Sequence, residues 1–294
     1  MLDHALGNSS APPARPQVSW RSSHDLGMPE LGYVGLSENW LLKTLGHRHW
    51  HLIANAAGQK NATFRNREGN DVYAAFCALS VNTPALWLPD LNDRLDLEST
   101  LYRVSRTRLA SRHILQVDGT LIGSVCLVST FVSRRVAGRN ASVARVDFPG
   151  LPALPALPAD LDFPHVAARL AKSGGDRHLG LEGNATTQPT PDLVYEPCPS
   201  LDFNRAGLMY FPSFVAAAER AVFKRFGDAA HRFVLSRRDV LFFGNLELHE
   251  KLAVQIVDWA EEERFTNAAL SATGANGRPV CKLFCRYRKQ QSLT

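Results

Sequence analysis

Residues 202–226 read DFNRAGLMYFPSFVAAAERAVFKRF, a turn rich in Asp and Asn with one glycine, followed by an apolar stretch with helical spacing. Four strand-like runs separated by turn residues follow between residues 231 and 289, and a small polar turn at residues 274–277 separates the last two. One long helix followed by an antiparallel meander predicts an α+β fold in which a sheet wraps around a central helix.

The same order of elements occurs earlier in the chain. Residues 36–56 (LSENWLLKTLGHRHWHLIANA) have helical apolar spacing, and Ser37 is placed to cap this helix just after Gly35. The strand-like runs DVYAAFCALSV, LYRVSRTRLA, RHILQVDG and TLIGSVCLVSTFVS follow, with a hairpin turn at residues 117–120. The two blocks share little residue identity, so a duplication is inferred from element order alone.

These blocks divide the chain into four segments. We predict a disordered leader at residues 1–17, a first domain at 18–134, a Pro/Gly-rich connection at 135–197 and a second domain at 198–290. The connection contains the Leu-Pro repeat FPGLPALPALPADLDFP and is expected to run mainly over the surface, with a short helix at residues 165–172.

Composition restricts the classes of partner. The net charge is +5 and the pI about 9.1, which favours anionic partners, but no recognition helix, zinc spacing or basic run with stacked aromatics points to nucleic acid. The five cysteines include no CxxC pair, and neither a signal sequence nor a membrane-spanning run is evident. We therefore expect a cytoplasmic protein without disulfides, membrane or nucleic acid, and leave homodimerisation open.

Two motifs carry a resemblance to known proteins. Residues 202–211 with Phe214 and Glu219-Arg220, and the final GANGRPVCKLFCRYR, resemble the opening and the last hairpin of a hot-dog domain. Gly27-Met28-Pro29, GLSENWLLK at residues 35–43 and GHRHW at residues 46–50 resemble a biosynthetic family related to the bifunctional acyltransferase/decarboxylase of the leinamycin pathway. This resemblance implies a double hot-dog protein, with two tandem antiparallel sheets each wrapped around a central helix.

The family resemblance also implies an activity. Its founding member decarboxylates a malonyl-type thioester and transfers the remaining acyl group to an acyl carrier protein. We therefore expect an acyltransferase that takes an acyl group from acyl-CoA, with or without decarboxylation, to a carrier protein in polyketide or related secondary metabolism. Coenzyme A thioester is then a substrate and phosphopantetheine belongs to the partner, so no permanently bound cofactor is expected. The alternatives are a hot-dog thioesterase or dehydratase, and a non-catalytic carrier-binding protein.

Three residues are candidates for catalysis. The resemblance implies a tyrosine that carries the acyl group, and Tyr73 in GNDVYAAF is its best local counterpart, although a tyrosine in a strand is more often a packed aromatic. Asp202 is a candidate base that activates water, and Asn204 a candidate to orient a carbonyl. Both residues are equally suited to cap a helix and build its turn.

A thioester carbonyl develops negative charge during reaction, and the first turn of a helix presents unpaired N–H groups that stabilise it. The glycine before each central helix allows close approach of a substrate, or else merely forms a tight turn. Candidate substrate-binding residues lie at both helix starts: Gly35, Leu36, Ser37, Asn39, Gly207, Leu208 and Tyr210.

Two further patterns favour structural roles. His47, His49 and His51 alternate on one helix, so they cannot converge on a metal ion, and no metal site is expected. The histidine loop motif of polyketide dehydratases is not found, which makes dehydration the less favoured reaction. Four basic residues of the last strand either face coenzyme A phosphates or a carrier, or form a solvated strand face: Lys282, Arg286, Arg288 and Lys289.

Overall fold

The computed structural model describes residues 18–148, 150–184 and 190–290, so the predicted leader lies outside the described residues. The first half contains β1 (Ser19–Asp25), α1 (Glu38–Ala56), β2 (Phe64–Arg65), β3 (Asp71–Asn82), β4 (Arg94–Arg103), β5 (Arg108–Val117) and β6 (Thr120–Arg134). The connection contains β7 (Val143–Arg145), α2 (Phe163–Lys172), β8 (Arg177–His178) and β9 (Leu181–Glu182). The second half contains β10 (Leu193–Tyr195), α3 (Pro199–Asp202), α4 (Phe211–Phe226), β11 (Phe233–Phe242), β12 (Leu252–Glu261), β13 (Phe265–Thr273) and β14 (Pro279–Lys289).

The sheet order reveals the duplication. The strands run β1-β4-β5-β6-β3-β11-β14-β13-β12-β10, with antiparallel pairing throughout this path. Each half contributes five strands to this order, and the two sets are equivalent when each is read from its own edge inward: β1-β4-β5-β6-β3 and β10-β12-β13-β14-β11. In each half the central helix, α1 or α4, follows the edge strand along the chain and precedes the other four strands. The halves meet where β3 pairs with β11, from Ala78↔Leu241 to Asn82↔Arg237. The predicted α+β fold with two equivalent halves is therefore observed.

The turns before the two central helices are also built alike, which the sequence does not suggest. The Ser37 N–H donates to the carbonyl of Glu30 at 2.8 Å, and the Tyr210 N–H donates to the carbonyl of Asp202 at 2.7 Å. In both turns the acidic side chain accepts a backbone N–H three or four residues upstream. Glu30 and Asp202 are thus equivalent structural residues, although their flanking sequences share little.

One core joins the halves. Leu41, Leu42 and Leu45 of α1 and Phe214 and Val215 of α4 belong to the same buried cluster, together with apolar residues from the strands of both halves. Ser37 caps α1 as predicted, since its Oγ accepts from the Trp40 N–H at 3.3 Å. Burying both helices against a shared sheet makes each half depend on the other for part of its core.

The connection does more than run over the surface. Leu161, Phe163 and Ala167 pack with strand residues that include Ala78 and Cys126 in a separate buried cluster on the face of the sheet opposite to the central helices. Helix α2 begins at Phe163, two residues earlier than expected, because the buried Phe163 belongs to this cluster. The end of the Leu-Pro segment and α2 therefore cover the outer face of the sheet, whereas Leu151 and Leu154 pack against the cluster that contains the C-terminal half of α1. Among the described residues, no helix is long and apolar enough to cross a membrane.

A buried polar chain fixes α1 to the sheet of the first half. Arg48 Nε donates to Ser99 Oγ at 2.8 Å, and Ser99 Oγ lies 2.7 Å from the Nδ1 atom of His113. Further contacts of 2.7–2.8 Å join His113 Nε2 to Ser111, Ser111 to His49 Nδ1 and His49 Nε2 to Ser129. The chain runs through Arg48, Ser99, His113, Ser111, His49 and Ser129.

This chain predicts acid sensitivity. Burial lowers the pKa of His49 to about 3, whereas the unfolded chain titrates near the ordinary value of 6.5. Below pH 6.5 the unfolded state binds more protons, so stability is lost as the pH falls, by about 2 kcal/mol at pH 5 for this residue. Urea unfolding of wild type and His49→Gln at pH 7 and pH 5 measures the difference. Equal losses in the two proteins would contradict the assignment.

Candidate active site

A cavity of about 470 Å³ lies where the start of α4 meets the start of β3, so both halves contribute to it. Thr63, Asp71 and Tyr73 come from the first half, and Asn204 and Asn245 come from the second. Aromatic rings form a large part of the wall, among them those of Trp50, Phe64, Phe76, Phe211, Phe214 and Phe242. A concave site of this size and composition suits an apolar group attached to a polar one.

The first residue of α4 has an unpaired amide and lines the cavity. Tyr210 occupies the N-cap position but makes no side-chain cap, and Pro212 in the first turn has no N–H. The Phe211 N–H has no hydrogen-bond partner among the described residues, and Phe211 lines the cavity. This helix start can therefore donate to an oxygen atom of a bound ligand.

One side chain of the turn itself and side chains from two other segments hold the turn before α4. Asn204 Oδ1 accepts the N–H groups of the turn, from Ala206 at 3.0 Å and Leu208 at 3.2 Å. The buried Asn140 donates to the carbonyl of Gly207 at 2.7 Å, and Asn245 bonds both backbone groups of Met209. The path of the turn is thus set by the side-chain amides of Asn140 from the connection and Asn245 from the β11–β12 loop.

Of the two second-half candidates for catalysis, only Asn204 lines the cavity. Asp202 is buried and lies outside the lining, where its oxygens accept the Tyr195 hydroxyl at 2.9 Å and the Cys198 N–H at 2.8 Å. Asp202 therefore closes the turn around α3. Asn204 builds the next turn with its oxygen atom while remaining beside the cavity.

Gly46 of α1 determines how closely the two central helices approach each other. A Cβ atom at this position would lie 2.6 Å from the Tyr210 hydroxyl oxygen and 2.8 Å from the Phe211 ring. Both of these side chains line the cavity. Burial raises the pKa of Tyr210 to about 12, so its hydroxyl remains neutral, and it donates to the Lys43 carbonyl of α1 at 3.5 Å.

The equivalent start of α1 is closed by an ion-pair network. Arg238 of β11 is fully buried and contacts Glu38 in the first turn of α1 at 2.9 Å, as well as Glu219 of α4. Tyr287 donates to the same Glu219 carboxylate at 2.8 Å. The four first-half candidates lie at this closed end and do not line the cavity: Gly35, Leu36, Ser37 and Asn39.

In the second half the candidates lie close to the cavity, because Leu208 and Tyr210 line it and Gly207 connects lining residues. Tyr73 also lines it, two residues along β3 from Asp71. Asp71 and Arg205 are the lining residues with a full charge at neutral pH, and both are exposed. The residues around the cavity include no histidine, cysteine or lysine among those described.

The remaining patterns lie elsewhere. The rings of His47 and His51 are 4.3 Å apart on one side of α1, opposite to the buried His49. Among the described residues, no group of three or more His, Cys, Asp or Glu could hold a metal ion. The four basic residues of β14 make internal contacts, with Lys282 bound to the Gly175 carbonyl, Arg286 to Glu262, Lys289 to Glu261 and Arg288 over Trp87.

The sequence does not predict most of the wall. Phe211 and Phe214 lie within residues 202–226, but nothing in the sequence places Trp50 or Phe242 beside them. Nor does the sequence single out Asn140 or Asn245, although Asn245 follows Gly244 just beyond β11, and Gly-Asn is a turn signal.

Comparison with known proteins identifies the fold. No protein-family model and no curated protein sequence matches the chain. Solved structures with similar folds include an acyl-ACP thioesterase from Bacteroides thetaiotaomicron, with 10% identity, a TM-score of 0.65 and coverage of 92% of this chain and 98% of that one. Another is a 12:0-ACP thioesterase from Umbellularia californica, with 10% identity, a TM-score of 0.63 and coverage of 92% and 94%. The chain therefore has the predicted hot-dog fold, repeated in tandem.

The two turn glycines differ in what surrounds them, which predicts different costs of substitution. Gly35 (φ 65°) and Gly207 (φ 69°) are both left-handed, but a Cβ atom at Gly35 would lie 2.2 Å from the Leu86 carbonyl oxygen. At Gly207 it would meet only Arg134, at 3.6 Å. We expect Gly207→Ala to cost about 1–2 kcal/mol and Gly35→Ala about 3 kcal/mol or more. Denaturant unfolding measures both values, and equal costs would contradict this account.

Proposed function

We propose that the chain is an acyl-thioester-processing enzyme that binds the acyl group in the aromatic cavity and cleaves the thioester with water. The observation that carries this proposal is an apolar cavity that adjoins the unpaired amide of a helix start. An acyl thioester has the matching parts, because its apolar chain lies next to a carbonyl oxygen that becomes negative in the transition state.

The Phe211 N–H is the proposed donor to this oxyanion. Preorganised backbone donors in a site with little water stabilise developing negative charge strongly, and the dipole of α4 acts in the same direction. Losing one such donor from an oxyanion hole typically costs two to three orders of magnitude in turnover. Anchoring of the turn by Asn140 and Asn245 keeps this amide in place before substrate arrives.

Asp71 is the proposed base, since it is the carboxylate among the lining residues. It would take a proton from water as the water oxygen bonds to the carbonyl carbon. The C–S bond then breaks, and the sulfur leaves as the thiol after taking up a proton. The products are a carboxylic acid and the free thiol of the carrier, and no resident cofactor is needed.

A neutral acyl group fits the cavity best. Its two charged lining residues are exposed, so the aromatic interior offers no buried cation to a malonyl carboxylate. Support for hydrolysis also comes from the similar folds, which are named as thioesterases acting on acyl groups carried by acyl carrier protein. We therefore favour hydrolysis of a carrier-linked or coenzyme A-linked acyl group over decarboxylation of a malonyl thioester.

Acyl transfer is the second candidate, and the position of Tyr73 supports it. Tyr73 and Asp71 are two residues apart on β3 and therefore project to the same face of the strand. Tyr73 would attack the thioester, release the first thiol and hold the acyl group as an ester until a carrier thiol accepts it. This is the chemistry implied by the resemblance to the leinamycin-pathway family.

Filling the cavity tests the proposal. Ala206 lines the cavity, so Ala206→Trp should reduce thiol release from acyl-CoA and acyl carrier protein at least tenfold by blocking the acyl group. Ala229→Trp is the matched control, because Ala229 is exposed beyond the far end of α4. Thiol release is followed with a disulfide dye, and melting temperatures verify folding. Wild-type turnover in the Ala206 variant would contradict the proposal. If the wild-type protein binds the ligand but does not turn it over, the chain is a binding protein.

Tyr73→Phe separates hydrolysis from transfer. If water is the direct acceptor, the variant keeps most of its thiol release, while Asp71→Asn loses at least about a hundredfold, as expected for a general base. If Tyr73 carries the acyl group, the variant loses both turnover and the acyl mass adduct on the intact protein. Mass spectrometry after incubation with propionyl-CoA and malonyl-CoA measures the adduct and any loss of carbon dioxide.

A further inference from the structure

Three segments of the chain lie around the cavity: the β2 region, the chain from the end of β6 into the connection, and the turn before α4. The β2 region is joined to the start of the connection by the rings of Phe64 and Phe148, whose centroids are 5.4 Å apart. The end of β6 is joined to the turn before α4 by Arg134, which donates to the carbonyl of Ala206 at 2.7 Å. Phe64 and Ala206 both line the cavity, so these segments surround its opening.

These segments carry exposed positive charge that the described residues do not neutralise. Six basic side chains on them are exposed and form no ion pair with a described residue: Lys60, Arg67, Arg135, Arg139, Arg145 and Arg205. We call these six residues the cationic rim. An uncompensated group of like charges on one face creates a field that attracts anions.

The acidic residues of the same segments are engaged. Asp71 lies 3.7 Å from Arg65, and Asp147 lies 3.0 Å from Arg106. Glu247, which reaches this region from the β11–β12 loop, accepts the N–H groups of Asn140 and Ala141 at 3.0 and 2.8 Å. Glu68 accepts a hydrogen bond from the side chain of Asn70 at 3.2 Å. Glu68 and Glu247 bond neutral groups and keep their charge, so six uncompensated cations stand against two uncompensated carboxylates and the rim keeps a net positive charge.

The form of the rim favours a protein over a small phosphate ligand. Sites for small anions are concave and gather buried donors around the ligand, whereas all six rim side chains are exposed. Val136, which is 48% exposed, lies between Arg135 and Arg139 and adds apolar contact area among the charges. Exposed cations around an apolar side chain are typical of a protein-binding rim, where charge steers a partner of opposite sign.

We infer that the cationic rim is a docking surface for an acidic acyl carrier protein, whose phosphopantetheine arm delivers the thioester into the cavity. This inference rests on the proposed function, because that function supplies the reason for a thioester to enter here. The rim is distinct from the basic residues of β14, whose contacts lie within the chain.

Charge reversal tests the inference by binding alone, without turnover. The variant is Arg135→Glu with Arg139→Glu, and neither residue lines the cavity. The control is Lys224→Glu with Arg232→Glu, an equal charge change at exposed residues near the far end of α4, about 24 Å along a 16-residue helix. The probes are a bacterial holo acyl carrier protein, its apo form without the prosthetic arm, and coenzyme A.

We expect the rim variant to bind holo and apo carrier at least tenfold more weakly than wild type, and the control to stay within about twofold. Wild-type binding should weaken as ionic strength rises. Equal carrier binding by variant and control would overturn the inference. A second result would also overturn it: wild type binds coenzyme A but no carrier protein, and the rim variant loses the coenzyme A binding. This result would assign the rim to a free phosphorylated ligand.

A neutral N-acetylcysteamine thioester separates this inference from the proposed function. Its cleavage by wild type with no carrier binding would overturn the docking surface and leave hydrolysis standing. Carrier binding lost in the rim variant, with no cleavage of any thioester, would leave docking standing and remove hydrolysis. When both hold, the ratio of kcat/KM for the carrier-linked thioester to that for the neutral one should fall at least tenfold in the rim variant.

Discussion

The antiparallel pairing of β3 with β11 is the constraint on which the site depends. The two strands pair over residues 78–82 and 237–241, so residues 71–77 of β3 extend past the end of β11. This places Tyr73 and Phe76 beside Phe242 and the β11–β12 loop, where α4 begins. The pairing itself is fixed at its centre, where the buried Asp239 accepts from Ser80 at 2.6 Å and contacts His178 at 2.7 Å on the covered face of the sheet. A slip of one residue would reverse the face of every side chain and dismantle the cavity wall.

The two halves on either side of this pairing are equivalent, so the fold offers two equivalent positions for a site, one at the start of each central helix. The position at α4 is open, and the position at α1 is closed. The ninth residue after the N-cap is Gly46 in α1 and Glu219 in α4. Glycine leaves room for the Tyr210 and Phe211 rings at the open site, whereas Glu219 joins Arg238 and Glu38 at the closed one. A charge buried at this depth is tolerated because it is paired on both sides.

Element order, helix positions and the hairpin turns at residues 117–120 and 274–277 could be predicted from the sequence because they follow from local periodicity and turn residues. The predicted strand LYRVSRTRLA was wrong, because it spans the turn between β4 and β5. The repeated order of one helix and a meander led to the tandem fold although the halves share little identity. The cavity could be predicted only in part. Tyr73, Asn204, Leu208 and Tyr210 lie at it because they occupy the start of a strand and of a helix, where the fold brings such ends together. Which of two equivalent helix starts would be open depends on Arg238, a strand residue whose partners are some 20 and 200 positions away, and no local pattern reveals that.

Under the proposed function, the charged residues and the aromatic wall would have different tasks, the first in attracting the substrate and the second in selecting its acyl group. Charged groups lie at the mouth, where they act over a distance on an approaching anion but contribute little to fixing the acyl chain. The described residues of the interior offer area and shape but no charged group, so any acyl group that carries charge loses hydration there without gaining a partner. The Phe211 amide adjoins the aromatic wall at the start of α4, where the thioester carbonyl of a fully inserted substrate would reside. An acyl chain too short to reach the wall would leave its carbonyl poorly positioned, so selection among chains would act through turnover as well as through binding.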